Sequence, residues 1–115
     1  MKDRRKSNRR SLLIKVVITD GNGDTCDARA ANLGLGGVCF LVTDPLCIAP
    51  EGSATFTVSC RDEKKEITIP FKVIHASAAP DFPGLTSIGV EFTHLSYKNA
   101  MILHDYLQAH HLLSV

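Results

Sequence analysis

The sequence predicts a mainly β fold, a six-stranded antiparallel β-barrel followed by a C-terminal α-helix. Three observations support this prediction. Six short segments, most of them rich in Val, Ile, Phe and Thr, are separated by turn-forming residues. The hydrophobic period changes to that of a helix only once, close to the C-terminus. The chain has 115 residues, of which 44% are hydrophobic, and this suits one domain with a single core. Short strands with regular turns are typical of a small barrel.

Each predicted strand has a local reason. Polar and apolar residues alternate most clearly in the second and fourth segments, as in strands with one buried face. The Asp, Gly and Asn residues at 20–24 predict a hairpin between the first two strands. Pro70 falls inside the fifth segment and requires a sheet edge or a bulge, because proline has no N–H for the ladder. The six segments are 12–20, 25–31, 38–42, 53–60, 66–76 and 87–92.

One amphipathic helix is predicted after the last strand. Ser96 is a suitable N-cap, because its hydroxyl can accept a hydrogen bond from a backbone amide of the first turn. Apolar residues then recur at helical spacing, which predicts a helix that covers the open end or the flank of the barrel. The predicted apolar stripe comprises Ala100, Ile102, Leu103, Tyr106 and Leu107.

The sequence carries no signature of catalysis. It lacks the GxSxG nucleophile motif, the GxxxxGK[ST] phosphate loop and the HExxH zinc motif. The cysteines could form two disulfides or a zinc site, but no CxxC pair occurs and neighbouring cysteines are widely spaced. We therefore expect no enzyme activity, no metal and no cofactor, and we expect the cysteines to be small buried side chains. They are Cys26, Cys39, Cys47 and Cys60.

We expect a cytoplasmic protein. No segment approaches the roughly 20 apolar residues of a membrane-spanning helix. The N-terminus is basic, but it lacks the apolar stretch that a signal peptide requires. In a reducing compartment, disulfides are rare, which agrees with the expectation of reduced cysteines.

The positive charge of the chain is concentrated at its N-terminus. The formal net charge is +1, but residues 1–10 contain six bases and one acid, and the remainder contains seven bases and eleven acids. The arm therefore carries +5 and the remainder −4. We expect residues 1–10 to form a flexible basic arm and residues 11–115 to form the barrel and helix. Such a distribution suggests an anionic partner, although many basic tails are only solvated.

Two segments have residue types suited to binding. In the arm, Arg5 and Arg9 form an RxxxR spacing that Arg4 extends, and arginine can grip phosphate or a guanine edge with forked hydrogen bonds. The segment NLGLGG, residues 32–37, lies between the second and third strands. Its glycines allow positive φ and close approach of a ligand, and the Asn32 amide can donate and accept. Such a segment can also be only a turn.

Taken together, these features resemble the PilZ domain. The resemblance rests on the RxxxR before a six-stranded barrel, the [D/N]xSxxG-like turn after the second strand, and the strand and helix start IGVEFTHLS. It covers nearly the whole chain, from Arg4 to about Leu107, and implies a single-domain, stand-alone member. The PilZ family binds the bacterial second messenger cyclic di-GMP.

The resemblance implies a set of ligand-binding residues. Arg5 and Arg9 match the arginines that grip the phosphates and guanine edges. Asn32 matches the acidic or amide residue that meets a guanine, and Gly37 matches the closing glycine of the second motif. His75 falls where some members place an aromatic residue against a guanine face. A half-buried strand histidine is the alternative interpretation of His75.

Three positions modify the expected site. In the family, an arginine in the position of Arg4 accompanies the binding of two intercalated ligand molecules, which implies up to two per chain. Gly34 stands where the family has serine, so a ligand-binding hydroxyl is absent and only the backbone remains. One hydrogen bond contributes about 0.5–1.5 kcal/mol, or up to about tenfold in affinity. Asn32 in place of aspartate also removes one acceptor oxygen. Weaker binding is the expected consequence.

Three functions are compatible with the sequence. The first is a cyclic di-GMP sensor that changes conformation and signals to an effector protein. The second is a degenerate PilZ-like adaptor that acts through protein contacts, as in pilus or motility systems; Gly34 and Asn32 favour it, and the arginines of the arm oppose it. The third is nonspecific nucleic-acid binding by the arm, which the acidic remainder of the chain disfavours.

Overall fold

The computed structural model describes residues 14–44, 48–60 and 62–109, which form a closed six-stranded barrel with one helix. The predicted fold class is confirmed, and each predicted strand occurs where the sequence placed it. The arm and its arginines lie outside the described residues. The elements are β1 (Ile14–Thr19), β2 (Thr25–Ala31), β3 (Gly37–Val42), β4 (Glu51–Cys60), β5 (Glu63–Ala78), β6 (Thr86–Phe92) and α1 (Tyr97–Ala109).

The strands close into a barrel in the order β1-β2-β3-β6-β5-β4, and β4 pairs back to β1. All neighbouring strands are antiparallel. Because β3 pairs with β6 rather than with β4, the turn between β2 and β3 lies beside the end of β6. This arrangement determines which surfaces can form a site.

The core fills the barrel with the alternate residues of its strands. Phe40, Phe56 and Phe71 are fully buried, and the rings of Phe40 and Phe71 meet edge to face with centroids 5.3 Å apart. Aromatic pairs favour this geometry because the positive edge of one ring meets the negative face of the other. No charged or polar residue is buried among the described residues. The core therefore depends on apolar packing.

The helix begins at the predicted cap. The backbone N–H of Asn99 donates to Oγ of Ser96 at 3.1 Å, and Nδ2 of Asn99 donates to the Thr68 carbonyl of β5, also at 3.1 Å. The predicted stripe is confirmed for Leu103, Tyr106 and Leu107, which are buried in the barrel core. Burial raises the pKa of the Tyr106 phenol. In the described parts of the chain, no helix is long and apolar enough to cross a membrane.

Pro70 is accommodated at a local edge of β5. Its carbonyl accepts a hydrogen bond from the Thr93 N–H at 3.0 Å, beyond the end of β6. The N and C=O of one residue point to the same side of a strand, so the nitrogen of Pro70 also faces the side on which β6 lies. Because β6 has already ended at this level, the missing N–H of Pro70 faces no strand there. Of the two predicted solutions, the edge is therefore the one adopted. The bulge in β5 lies further along, between Val73 and His75.

The expectation that all cysteines are reduced and buried is wrong. Cys26 forms a disulfide bond, and Cys39 is a free thiol that is only partly buried. Spacing along the chain was the basis of the expectation, but barrel closure brings together residues that are distant in sequence. Local spacing therefore says little about which cysteines can pair in this fold.

The contact between α1 and the barrel gives a stability prediction. Leu103 is completely buried, whereas Met101 on the same helix is 45% exposed. Leu103→Ala should lower the free energy of unfolding by about 2–5 kcal/mol, because it removes buried apolar surface and leaves a cavity. Met101→Ala, the matched control, should change it by no more than about 0.5 kcal/mol. Urea denaturation measures both, and equal losses would contradict the packing of α1 described here.

Candidate ligand-binding site

The turn between β2 and β3 has its left-handed residue at Asn32. Its φ is 56° and its side chain is exposed. Asparagine and aspartate tolerate this conformation better than other residues with a side chain, since their short polar groups can bond locally. The backbone therefore gives a reason for Asn or Asp here that does not depend on a ligand.

The glycines of this turn do not use the conformational freedom that the sequence suggested. Among the described glycines, only Gly23 and Gly84 have positive φ. A Cβ at Gly37 would overlap the carbonyl oxygen of Val90 on β6, so Gly37 permits close approach of two backbones. A Cβ at Gly34 would have no atom within 4 Å apart from its immediate neighbours in the chain. Glycine is thus required sterically at position 37 but not at position 34.

Backbone hydrogen bonds attach this turn to the end of β6. The N–H of Gly34 donates to the carbonyl of Gly37 at 3.0 Å, and the N–H of Phe92 donates to the carbonyl of Gly36 at 2.9 Å. The turn is therefore held at both the β3 side and the β6 side. A ligand at the turn would meet a backbone that is already ordered by these bonds.

His75 lies on the same outer surface as the turn. On β3, Gly37 and Cys39 face outward; Gly37 is in register with Glu91 of β6, and Cys39 is in register with Gly89. On its other side, Gly89 is opposite His75 of β5. His75 is therefore about 7 Å along the strand direction and about 10 Å across from Gly37. Its side chain is exposed.

The chain enters the barrel next to this surface. Ile14, the first residue of β1, is in register with Ala30 of β2, two residues before Asn32. An extended chain spans about 3.3–3.6 Å per residue, so the five residues from Arg9 to Ile14 reach up to about 18 Å. The predicted arm is thus tethered at the end of the barrel that carries the turn. The structure brings together Asn32, Gly34, Gly37 and His75, while Arg4, Arg5 and Arg9 lie outside the described residues.

The sequence did not predict the loop that covers the outside of β2 and β3. Residues 79–85 fold over the outside of β2 and β3, where Phe82 and Leu85 pack on a second apolar cluster of Ala31, Leu41 and Ala79. The Ala79 N–H donates to the Leu85 carbonyl at 3.0 Å, which closes this loop on itself. The signal in the sequence that could have indicated this packing was the presence of two large apolar residues, Phe82 and Leu85, in a loop rich in turn-forming residues.

The described charges next to Gly37 nearly cancel. Lys72 Nζ lies 3.4 Å from a carboxylate oxygen of Glu91, and Lys72 is also in register with Glu51 on its other side. Arg29 of β2 is exposed on the outer face, two residues before Ala31. This part of the surface offers little net attraction for an anion, so most of the charge for such a ligand would come from the arm. No group of three or more potential metal ligands occurs among the described residues.

Comparisons with known proteins agree with this architecture. The family model of the PilZ domain matches residues 3–109. The structure is similar to the Bacillus subtilis inhibitor of motility MotI/DgrA, with a TM-score of 0.75 and 14% identity, covering 87% of this chain and 47% of that one. It is also similar to the PilZ domain of CeSA from a cellulose-synthesizing bacterium, with a TM-score of 0.55, 15% identity and coverage of 87% and 92%. This chain thus spans about half of the motility inhibitor. No curated protein sequence matches it significantly.

The different surroundings of the two turn glycines give a second stability prediction. Gly37→Ala should lower the free energy of unfolding by about 1–3 kcal/mol, because the new methyl group meets the backbone of β6 and a strand must shift. Gly34→Ala, the matched control, should change it by about 0.5 kcal/mol or less, since its methyl group enters open space. Thermal or urea unfolding tests the pair, and a larger loss for Gly34→Ala would contradict the geometry.

Proposed function

This chain belongs to the PilZ domain family, and we propose that it is a sensor that binds cyclic di-GMP and signals to an effector protein. PilZ domains are binding and adaptor modules for this nucleotide. The observation that carries the proposal for this chain is geometric. The turn at 32–37 and His75 share one open surface, and β1 begins beside that turn, so the arginines of the arm are within reach of it.

The chemistry of the ligand matches the distribution of groups. Cyclic di-GMP carries two phosphates and two guanines, and the arm carries a net charge of +5. We propose that Arg5 and Arg9 bind the phosphates and guanine edges through forked hydrogen bonds. Asn32 would bond a guanine, the backbone at Gly34 and Gly37 would lie against the ligand, and the exposed ring of His75 would face a guanine. No further cofactor is needed for this function.

The proposal includes a change of conformation. When the arm closes over the dianion, it covers barrel surface near the turn or presents a new face. A partner protein can distinguish the two states by the surface that it meets. The cost is backbone entropy of about 1–2 kcal/mol per residue ordered, offset by charge-assisted bonds to phosphate and guanine.

An adaptor without nucleotide binding is the second candidate. Two observations favour it: Gly34 supplies no hydroxyl at the turn, and the charges of Lys72 and Glu91 beside Gly37 compensate each other. Such an adaptor would act through protein contacts in a pilus or motility system. The likeness of fold to an inhibitor of motility is compatible with this candidate and with the sensor.

Calorimetric titration with cyclic di-GMP separates the two candidates. We expect binding, and we expect Arg5→Ala and Arg9→Ala each to weaken it by about 1.5–3 kcal/mol, the range for hydrogen bonds to charged groups. Lys2→Ala, the control within the same arm, should have little effect. Equal losses at all three positions would indicate a diffuse electrostatic tail, and no binding by the unmodified chain would favour the adaptor.

We further propose two ligands per chain, with one remaining in Arg4→Ala, and the same titration gives this ratio.

The open space around Gly34 makes the missing hydroxyl testable. Gly34→Ser restores the family residue at a position with ordinary φ and no neighbour in the way, so it should fold and bind cyclic di-GMP up to about tenfold more tightly. Gly34→Ala is the matched control, because it changes the backbone in the same way without adding a hydroxyl. Its affinity should stay unchanged. Equal affinities of the serine and alanine variants would show that the hydroxyl has no role.

A further inference from the structure

The ring of His75 lies over a glycine of the neighbouring strand. A Cβ at Gly89 would overlap Cε1 of the imidazole and would lie 2.8 Å from Nδ1 and 3.2 Å from Nε2. The three heavy atoms nearest to that position all belong to this ring. The imidazole therefore covers the backbone of β6 at Gly89 and is not extended straight into solvent.

A β-bulge sets this arrangement. Val73 is opposite Val90, and His75 is opposite Gly89, so Ile74 is the additional residue of β5. In a regular ladder Ile74 would stand opposite Gly89, and the bulge places His75 there instead. Ile74 is 56% exposed, which leaves an apolar side chain at the surface next to the imidazole in sequence. The bulge and the glycine together bring the ring onto the strand.

Gly89 differs from Gly37 in what a side chain would displace. At Gly37 a methyl group meets backbone, which can yield only if strands move apart. At Gly89 it meets the end of a side chain that can rotate about its χ angles. A substitution at Gly89 should therefore move the imidazole and leave the barrel intact.

We propose that Gly89 is a positioning residue, which holds the imidazole of His75 against β6 so that its outer face forms a platform for a guanine of the ligand. This inference rests on the proposed function. Stacking a base on an aromatic ring requires that the ring presents a face, and such contacts contribute measurably to affinity for each base. A ring displaced by a methyl group would present an edge or lie away from the turn.

A double-mutant cycle tests the inference. Affinity for cyclic di-GMP is measured by calorimetry for the unmodified chain, Gly89→Ala, His75→Ala and the double variant. We expect each single variant to bind about tenfold more weakly and the double variant to bind no more weakly than either. Gly21→Ala is the matched control, since its methyl group enters open space at the opposite end of β2, and it should bind normally. Additive losses at Gly89 and His75 would overturn the inference.

The position of the ring is measured without ligand. In carbon–proton NMR spectra, the Cε1–H signal of His75 should shift in Gly89→Ala and remain unchanged in Gly21→Ala; an unchanged signal in both would overturn the inference. Thermal midpoints of the single variants should stay within about 4 °C of the unmodified chain. If Gly89→Ala is less stable than this, His75→Ala added to it should restore stability, and failure to do so would overturn the inference.

The binding results also separate this inference from the function on which it rests. Normal binding by Gly89→Ala, with binding by the unmodified chain, would overturn the positioning role and leave the sensor standing. No binding by the unmodified chain would overturn the sensor and, with it, the guanine platform.

Discussion

The pairing of β3 with β6 is the constraint on which the rest of the structure depends. It runs from Gly37 opposite Glu91 to Val42 opposite Thr86, and it closes the half of the barrel that carries the candidate site. Because the two backbones approach closely at Gly37, the turn before β3 is drawn against the end of β6. The same pairing places β5, with its bulge, next to β6 on the other side. The site is therefore a consequence of how the barrel closes.

Three glycines near this pairing have three different roles. Gly37 allows two strands to approach, and Gly89 leaves room for an imidazole. Gly34 has open space and ordinary φ, so the fold does not require glycine there. This distinction matters for function. The backbone at position 34 therefore leaves room for a side chain, including the serine that we propose to introduce there.

Charge and shape are divided between two parts of the chain. The described barrel surface next to the turn supplies shape, backbone groups and an aromatic ring, but Lys72 and Glu91 compensate each other there. The concentrated positive charge belongs to residues 1–10. A site divided in this way would be completed only when the arm meets the barrel, which suits a sensor whose signal is a change of surface.

The sequence by itself determined the features that depend on local patterns. Alternation and turn formers located six strands, and the change of period located α1 with its cap at Ser96 and its buried Leu103. Motif spacing also placed the turn at 32–37 between the correct strands. These predictions succeeded because hydrophobic periodicity and capping act over a few residues, within the range that a linear sequence displays.

The tertiary structure alone decided the features that arise when distant strands meet. The packing of Phe82 on the second apolar cluster and the position of the His75 ring over Gly89 both join residues far apart in the chain. The bulge that turns His75 toward Gly89 shifts register by one residue, and strand periodicity does not reveal such a shift. Barrel closure sets these contacts because it pairs strands that are not consecutive in the chain, such as β3 with β6, and local patterns do not show which distant strands become neighbours.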